Sequence, residues 1–224
     1  MTDTHHVKSL GLLQRRVGLD PAGFRSHYET RHVPLAKRLL GFPGYQRNYP
    51  TRDEDRARLG FHGFSEFWFR GEAETARIGE IMQGPDGAIM LEDEPRFMDV
   101  PRNQTHEVEE RQFGSRPPPG DTLRAISVQR RAGQTQKSPA WGFEELDWRR
   151  EERAAPGVLT ALYSRPLRSV TPVPEGQKAL AFAESLWLED AATLERRNRD
   201  RSQRGQLLLI PVEESGTPVL EFPY

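Results

Sequence analysis

The sequence contains no cysteine. Disulfide staples, thiolate nucleophiles and thiolate metal sites are therefore excluded, and a reducing compartment is compatible. It also lacks a surplus of either charge, with 32 Lys and Arg against 33 Asp and Glu in 224 residues. Without a basic excess there is no electrostatic case for nucleic acid or an anionic membrane surface. Long apolar runs are missing too. The opening MTDTHHVKSLGLL has no extended apolar stretch of the secretory-leader kind, and nothing later approaches the roughly 20 apolar residues of a membrane span. A soluble, cytoplasmic protein is expected. The spacings H-x-x-E-H, H-E-x-x-H, G-x-S-x-G and the P-loop do not occur, so metalloprotease, serine hydrolase and nucleotide chemistry have no motif behind them.

What is present is a repeat. Gln14-Arg15-Arg16-Val17-Gly18 closes one apolar run and Gln129-Arg130-Arg131-Ala132-Gly133 closes another. A helical stretch follows each, then Pro-Gly before a strand, at Pro43-Gly44-Tyr45 and Pro156-Gly157-Val158. Ser65-Glu66-Phe67-Trp68-Phe69-Arg70 then matches Glu184-Ser185-Leu186-Trp187-Leu188-Glu189, and both copies end in a strand near 105–113 and 205–213. Matches in the same order at similar spacing point to internal duplication. Each copy reads strand, helix, strand, strand, helix, strand, which is the ferredoxin-like βαββαβ unit. Residues 1–115 and 121–224 are the expected halves. The Pro-rich segment 116–120 is the joint, because proline continues neither ladder nor helix. Each unit leaves one sheet face bare, and the natural cover is the other copy.

The segment 20–50 carries the densest chemistry. Asp20 suits an N-cap and Pro21 the first helical position. At about 100° per residue, Phe24, Tyr28, His32, Leu35 and Leu39 share one helix sector, expected to face the sheet. His27 points away from that sector. Pro34 cannot donate to the carbonyl of Thr30, so a bend is expected just after His32. His32 is either a proton carrier in a small-molecule site or a core histidine bonded to backbone. Tyr28 is placed to donate to an enolate oxygen or orient the ring, and Arg31 to hold a carboxylate. Tyr45 and Asn48 follow on the next strand, opposite the helix.

In the third strand, alternation puts His62, Phe64, Glu66 and Trp68 on one face. The matching positions in the second copy are Ala181, Ala183, Ser185 and Trp187. This mixed face reads as cavity wall or as the seam between sheets. A buried Glu66 needs a partner such as arginine or histidine, and both it and His62 are candidate acid–base groups. The charged loop Thr51–Gly60 is positioned to lie over a pocket mouth. The basic run from Arg196 to Arg201 is interleaved with acid and lacks aromatics, as expected of a solvated helix face.

The ordered set Phe24, Tyr28, His32, Pro34 and Leu35, then Gly44-Tyr45, then Glu66-Phe67-Trp68-Phe69, then Asp93-Glu94 with Phe97 resembles the EthD-type branch of the dimeric α+β barrel proteins. The likeness spans most of residues 7–113. The second copy follows only in outline, with Glu145 where the spacing of His32 from Pro43 would place a histidine. The resemblance implies an α+β fold of tandem ferredoxin-like repeats forming an intrachain α+β barrel, either a monomeric pseudo-dimer or a homodimer. It also implies cofactor-independent lyase or isomerase chemistry, of dehydratase or decarboxylase type, on a small aromatic or polyketide-like molecule. His32, Tyr28, His62 and Glu66 would be catalytic. Phe24, Arg31, Leu35, Tyr45, Asn48, Phe64 and Trp68 would bind substrate, with no metal and no cofactor. A non-catalytic ligand-binding or stress-response barrel is the alternative, and a haem-binding barrel, with histidine under the haem, is a minor one.

Overall fold

The computed structural model describes residues 7–114, 122–131 and 155–217. The proline-rich joint, His5-His6 and Glu145 lie outside the described residues. Eight strands close into one barrel: β1 (Val7–Leu13), β2 (Gly44–Pro50), β3 (Gly63–Phe69), β4 (Gln104–Phe113), β5 (Leu123–Arg131), β6 (Val158–Ser169), β7 (Ala179–Leu188) and β8 (Ile210–Thr217). Every neighbouring pair is antiparallel. Around the ring the order is β1-β3-β2-β8-β5-β7-β6-β4. Cut between β2 and β8 and between β4 and β6, it yields two four-stranded sheets of identical order, 4-1-3-2 within each repeat. The halves face each other across the interior and also join edge to edge, which leaves neither sheet an open edge.

The register repeats as well. Lys8 lies opposite Trp68 and Val108, and Arg124 lies opposite Trp187 and Val212. Period-two alternation sends Lys8, Leu10 and Leu12 of β1 and Phe64, Glu66 and Trp68 of β3 into the barrel. The apolar filling consists of Leu10, Leu12, Phe64, Val108, Ile126, Ala183 and Val212, with Leu59 and Phe61 packed against them. Beside it lies a buried charged layer. Lys8 Nζ donates to Glu66 Oε1 at 2.7 Å, and Arg124 Nη1 donates to Glu66 Oε2 at 2.7 Å. Asn48 Nδ2 adds a bond to the same Oε2 at 2.9 Å. Lys8 also pairs with Glu110 and Arg124 with Glu214. Each cation lies over a tryptophan ring, Lys8 over Trp68 at 4.4 Å and Arg124 over Trp187 at 4.5 Å.

The outer wall of the first repeat is covered by α1 (Pro21–His27), a π-helical turn (Tyr28–His32), α2 (Val33–Leu39), α4 (Glu72–Gln83) and α5 (Pro85–Asp93), while the short α3 (Asp53–Leu59) links β2 to β3. A second core fills the space beneath them, from Leu13, Phe24, Tyr28 and Val33 through Tyr45 and Met90 to Phe97 and Met98. On the second repeat α6 (Ala191–Gln203) starts at Asp190, whose side chain accepts from Thr193 N at 2.7 Å. It helps to cover Ala161, Tyr163, Leu186 and Leu188. No helix among the described residues is long and apolar enough to cross a membrane.

Candidate functional site

Asp20 and Pro21 open α1 as their chemistry dictates, with Gly23 N donating to Asp20 Oδ1 at 2.5 Å. Proline at 34 does not break the helix. The chain widens into a π turn, and Val33 N donates to the carbonyl of Tyr28, five residues back. The wider turn accommodates a residue with no N–H to give, and it is the irregularity found where a bend was expected. It also moves the helix face by one position. Phe24, Tyr28 and His32 are buried as expected, but beyond the turn the buried residues are Val33, Ala36 and Leu40. Leu35 and Leu39 are only partly buried.

The same turn brings His27 and His32, five residues apart, onto one carboxylate. His27 Nε2 lies 2.9 Å from Asp93 Oδ1 and His32 Nδ1 lies 3.0 Å from Asp93 Oδ2. On an α-helix the two rings would diverge by about 140°. His27, expected to point away, instead stacks on Phe97 with ring centroids 4.8 Å apart. Burial lowers the His32 proton affinity, and the bond to Asp93 offsets only part of that. Burial opposes the Asp93 charge, yet the two histidines outweigh it and hold the carboxyl below its usual range. Beside it, burial and the Asp93 charge push Glu94 up to about 7. No three such groups converge on a metal position among the described residues.

Tyr28 faces the sheet. Its hydroxyl lies 2.8 Å from Ser65 Oγ and accepts from Tyr45 at 2.6 Å. Burial pushes the Tyr28 phenol up to about 12 and raises Tyr45 well above its ordinary value, so both are neutral hydrogen-bonding groups near pH 7. Next to them Glu29 accepts from Tyr49 at 2.6 Å and from Arg47 Nη2 at 2.6 Å.

The barrel wall divides the expected site residues into two groups. His32, Tyr28, Phe24 and Tyr45 gather under the helices. Glu66, Asn48, Phe64 and Trp68 are on the opposite side of the wall, in the interior, where Glu66 has the expected cationic partners and Trp68 packs on Lys8. Their grouping with His32 is thereby corrected, and the mixed face of β3 is the seam between sheets. Arg31 is exposed. His62 precedes β3 and turns to the helix side, 6.4 Å from the Phe24 ring, so its grouping with Glu66 is corrected as well. His32 is 5 % exposed, with Phe97 and Tyr28 packed on its ring. No macrocycle has room beside it, and haem does not fit this histidine.

An open cavity of about 500 Å³ lies at the start of α1. Phe24, Tyr49, Pro21 and Pro50 give it apolar walls, while Arg25, Glu213, Arg56 and His62 bring charge and a titratable ring. Glu213 comes from the second repeat, carried opposite Tyr49 by the β2–β8 pairing. His62 is half-buried; burial first, then Arg15, Arg56 and Arg102, push its pKa down to about 4. Its Nδ1 accepts from Arg15 N at 3.4 Å, which leaves the proton of the neutral ring on Nε2. Sequence reasoning singled out Phe24 and His62 but missed Arg56, Tyr49 and Glu213. Arg56 was within reach, since Thr51–Gly60 was expected over a pocket mouth. Glu213 depends on a strand pairing between repeats that no local pattern encodes.

Residues 16–101 match the EthD domain. No curated protein matches the chain by sequence. Among solved structures, an anthrone oxidase-like protein is similar over 96% of this chain and 94% of its own, with 13% identity and a TM-score of 0.56. A candidate monooxygenase from Fusobacterium nucleatum subsp. nucleatum is similar over 97% of both chains, with 6% identity and a TM-score of 0.51. An EthD family protein from Bacillus halodurans C-125 aligns with 43% of this chain and 90% of its own, at 18% identity and a TM-score of 0.34. At these identities the first two speak for the fold alone. The chain carries an EthD domain in its N-terminal half, built into an α+β barrel.

Proposed function

We propose that the protein binds a small aromatic or polyketide-like molecule in the cavity between Phe24, Tyr49 and His62, and acts on it as a cofactor-independent lyase or isomerase. The observation that carries this reading is an imidazole on the wall of an aromatic-lined cavity that also holds Arg25 and Arg56, with its Nδ1 already taken by a backbone N–H. Burial and nearby arginines lower its pKa to about 4 and keep it neutral. A ring protonated on Nε2 is a hydrogen-bond donor for an oxygen that gains charge, which is the task of an oxyanion hole. Decarboxylation of a β-keto acid is the simplest case. The bond to the carboxyl carbon breaks, its electron pair moves toward the carbonyl oxygen, carbon dioxide leaves, and water protonates the resulting enolate. Dehydration or isomerisation needs a proton acceptor as well, and Glu213 is the carboxylate at hand. His32, enclosed and tied to Asp93, holds the helix in place in this scheme.

The test is to incubate the purified protein with a panel of aromatic β-keto acids and β-hydroxy ketones in deuterated buffer, followed by proton NMR. Loss of carbon dioxide or water, or deuterium uptake at the α-carbon, should exceed the buffer rate. His62→Ala should lower that excess by about 10²- to 10³-fold, as loss of an oxyanion donor does. Binding without turnover across the panel would replace this reading with that of a ligand-binding barrel. Absence of binding would remove the cavity from consideration.

A further inference from the structure

We infer that the molecule held in this cavity is an anion, with a carboxylate or phenolate oxygen seated against Arg56 beside His62. This rests on the cavity being the working site and goes further, because it fixes the charge of what enters. The charges lining the cavity are not equally available. Arg25 faces Glu213 on the same cavity wall, so the two charges offset each other there, and its guanidinium lies 4.8 Å from the Tyr49 ring centre. Asp20 is engaged as the cap of α1. Arg56 differs. Its Nη1 donates to the carbonyl of Pro50 at 2.8 Å, which fixes the plane of the guanidinium. Its Nε reaches Asp53 at 3.2 Å, but that carboxylate is 86% exposed and solvated. Exposed pairs of this kind are worth little. Nη2 takes no partner among the described residues, although the side chain is only 15% exposed.

A guanidinium held in place with one donor edge open suits an oxyanion better than a lysine would. His62 supplies the second donor, since the backbone of Arg15 occupies its Nδ1. Arg15, Arg56 and Arg102 all act on the imidazole as positive charges, with Asp53 opposing them. The local field therefore favours an anion. Phe24 and Tyr49 leave a ring as the natural body for that anion, and Pro21 and Pro50 close the walls without donors of their own.

Benzoate and benzamide, nearly identical in shape and different in charge, are the probes, and the full chain is the protein. Calorimetric titration should show benzoate binding at least tenfold more tightly than benzamide. Arg56→Gln should erase that preference, and Arg56→Lys, which keeps the charge and loses the fork, should keep part of it. The melting temperature of each variant establishes that it is folded. In parallel, NMR titration of the His62 ring should show its pKa rising when benzoate binds and staying put with benzamide. Equal binding of both probes would overturn the anion site and leave the cavity reading intact. A preference that survives in folded Arg56→Gln would overturn the role of Arg56. Failure of both probes to bind would overturn this inference together with the reading it rests on.

Discussion

Lys8 and Arg124 occupy matching places in the two repeats, each on the first strand and opposite a tryptophan, and each holds one oxygen of Glu66. Removing Arg124 leaves Glu66 with Lys8 and Asn48 but takes away its second cation, and Glu214 loses the same arginine, in a medium that solvates charge poorly; the cost is roughly 3–5 kcal/mol. Arg124→Met should therefore destabilise the fold by about that much in urea unfolding. Adding Glu66→Met to it should recover a large share, because the excess negative charge in the layer is then gone while Lys8 keeps Glu110. A single-variant loss under about 1 kcal/mol would show that the layer is not held by this contact.

His32 should behave as a structural residue. His32→Ala removes a buried partner of Asp93 and should cost roughly 1–3 kcal/mol, and His32→Gln should restore part of that. Benzoate binding at the cavity should be the same in both variants. A folded His32→Gln protein whose turnover falls by about 10²-fold would instead put His32 in the mechanism as a general acid–base group.

Acid should destabilise the protein through its buried neutral histidines. His106 is enclosed in the barrel between Gln104 and Ser169. Burial and then Arg130 push its pKa from 6.5 down to about 4. Between those two values the unfolded chain binds the proton and the folded chain does not. The stability it contributes is thus complete above about pH 6.5 and is lost as pH falls toward 4, by about 3 kcal/mol at most. His106→Gln should flatten the acid limb of a plot of unfolding free energy against pH. An unchanged acid limb would contradict the assignment.

Gly216 lies at φ 115°, and an added Cβ would run into Arg47 Nη1 and the carbonyl of Tyr45. Gly216→Ala should cost about 1–3 kcal/mol through backbone strain. It should also loosen the Arg47–Glu29–Tyr49 cluster, visible as a changed Tyr49 environment in near-ultraviolet circular dichroism. An alanine variant as stable as the parent would mean that β8 shifts freely at this point.

Local signals carried the fold a long way. The paired tryptophans of β3 and β7 stand at matching registers, opposite Lys8 and Arg124. The duplicated Gln-Arg-Arg-x-Gly found the repeat but not its register: it equates Lys8 with Leu123, one residue from Arg124, and the β5–β7 register shifts between Gln129 and Arg130. The site was less legible. An α-helical wheel cannot put His27 and His32 on one carboxylate, because the π turn that does so is the chain's response to Pro34 and not a pattern in its side chains. Alternation correctly grouped Phe64, Glu66 and Trp68, but could not tell the inside of a barrel from its outside. His62, one residue before β3 begins, escaped the alternation altogether. Glu213 reaches the cavity only because β2 pairs with β8 across the repeat boundary.

Closure of the barrel within one chain has an evolutionary consequence. In a symmetric dimer every substitution appears twice, so a carboxylate at the Glu66 position would confront its own copy across the interior. Here the corresponding residue is Ser185, which accepts from Arg124 at 2.8 Å. Each side of the ring can therefore mutate singly: one half carries a carboxylate where the other carries a hydroxyl, and Arg124 donates to both. The pair Glu66 and Ser185 records a freedom that only a covalently joined pair of repeats possesses.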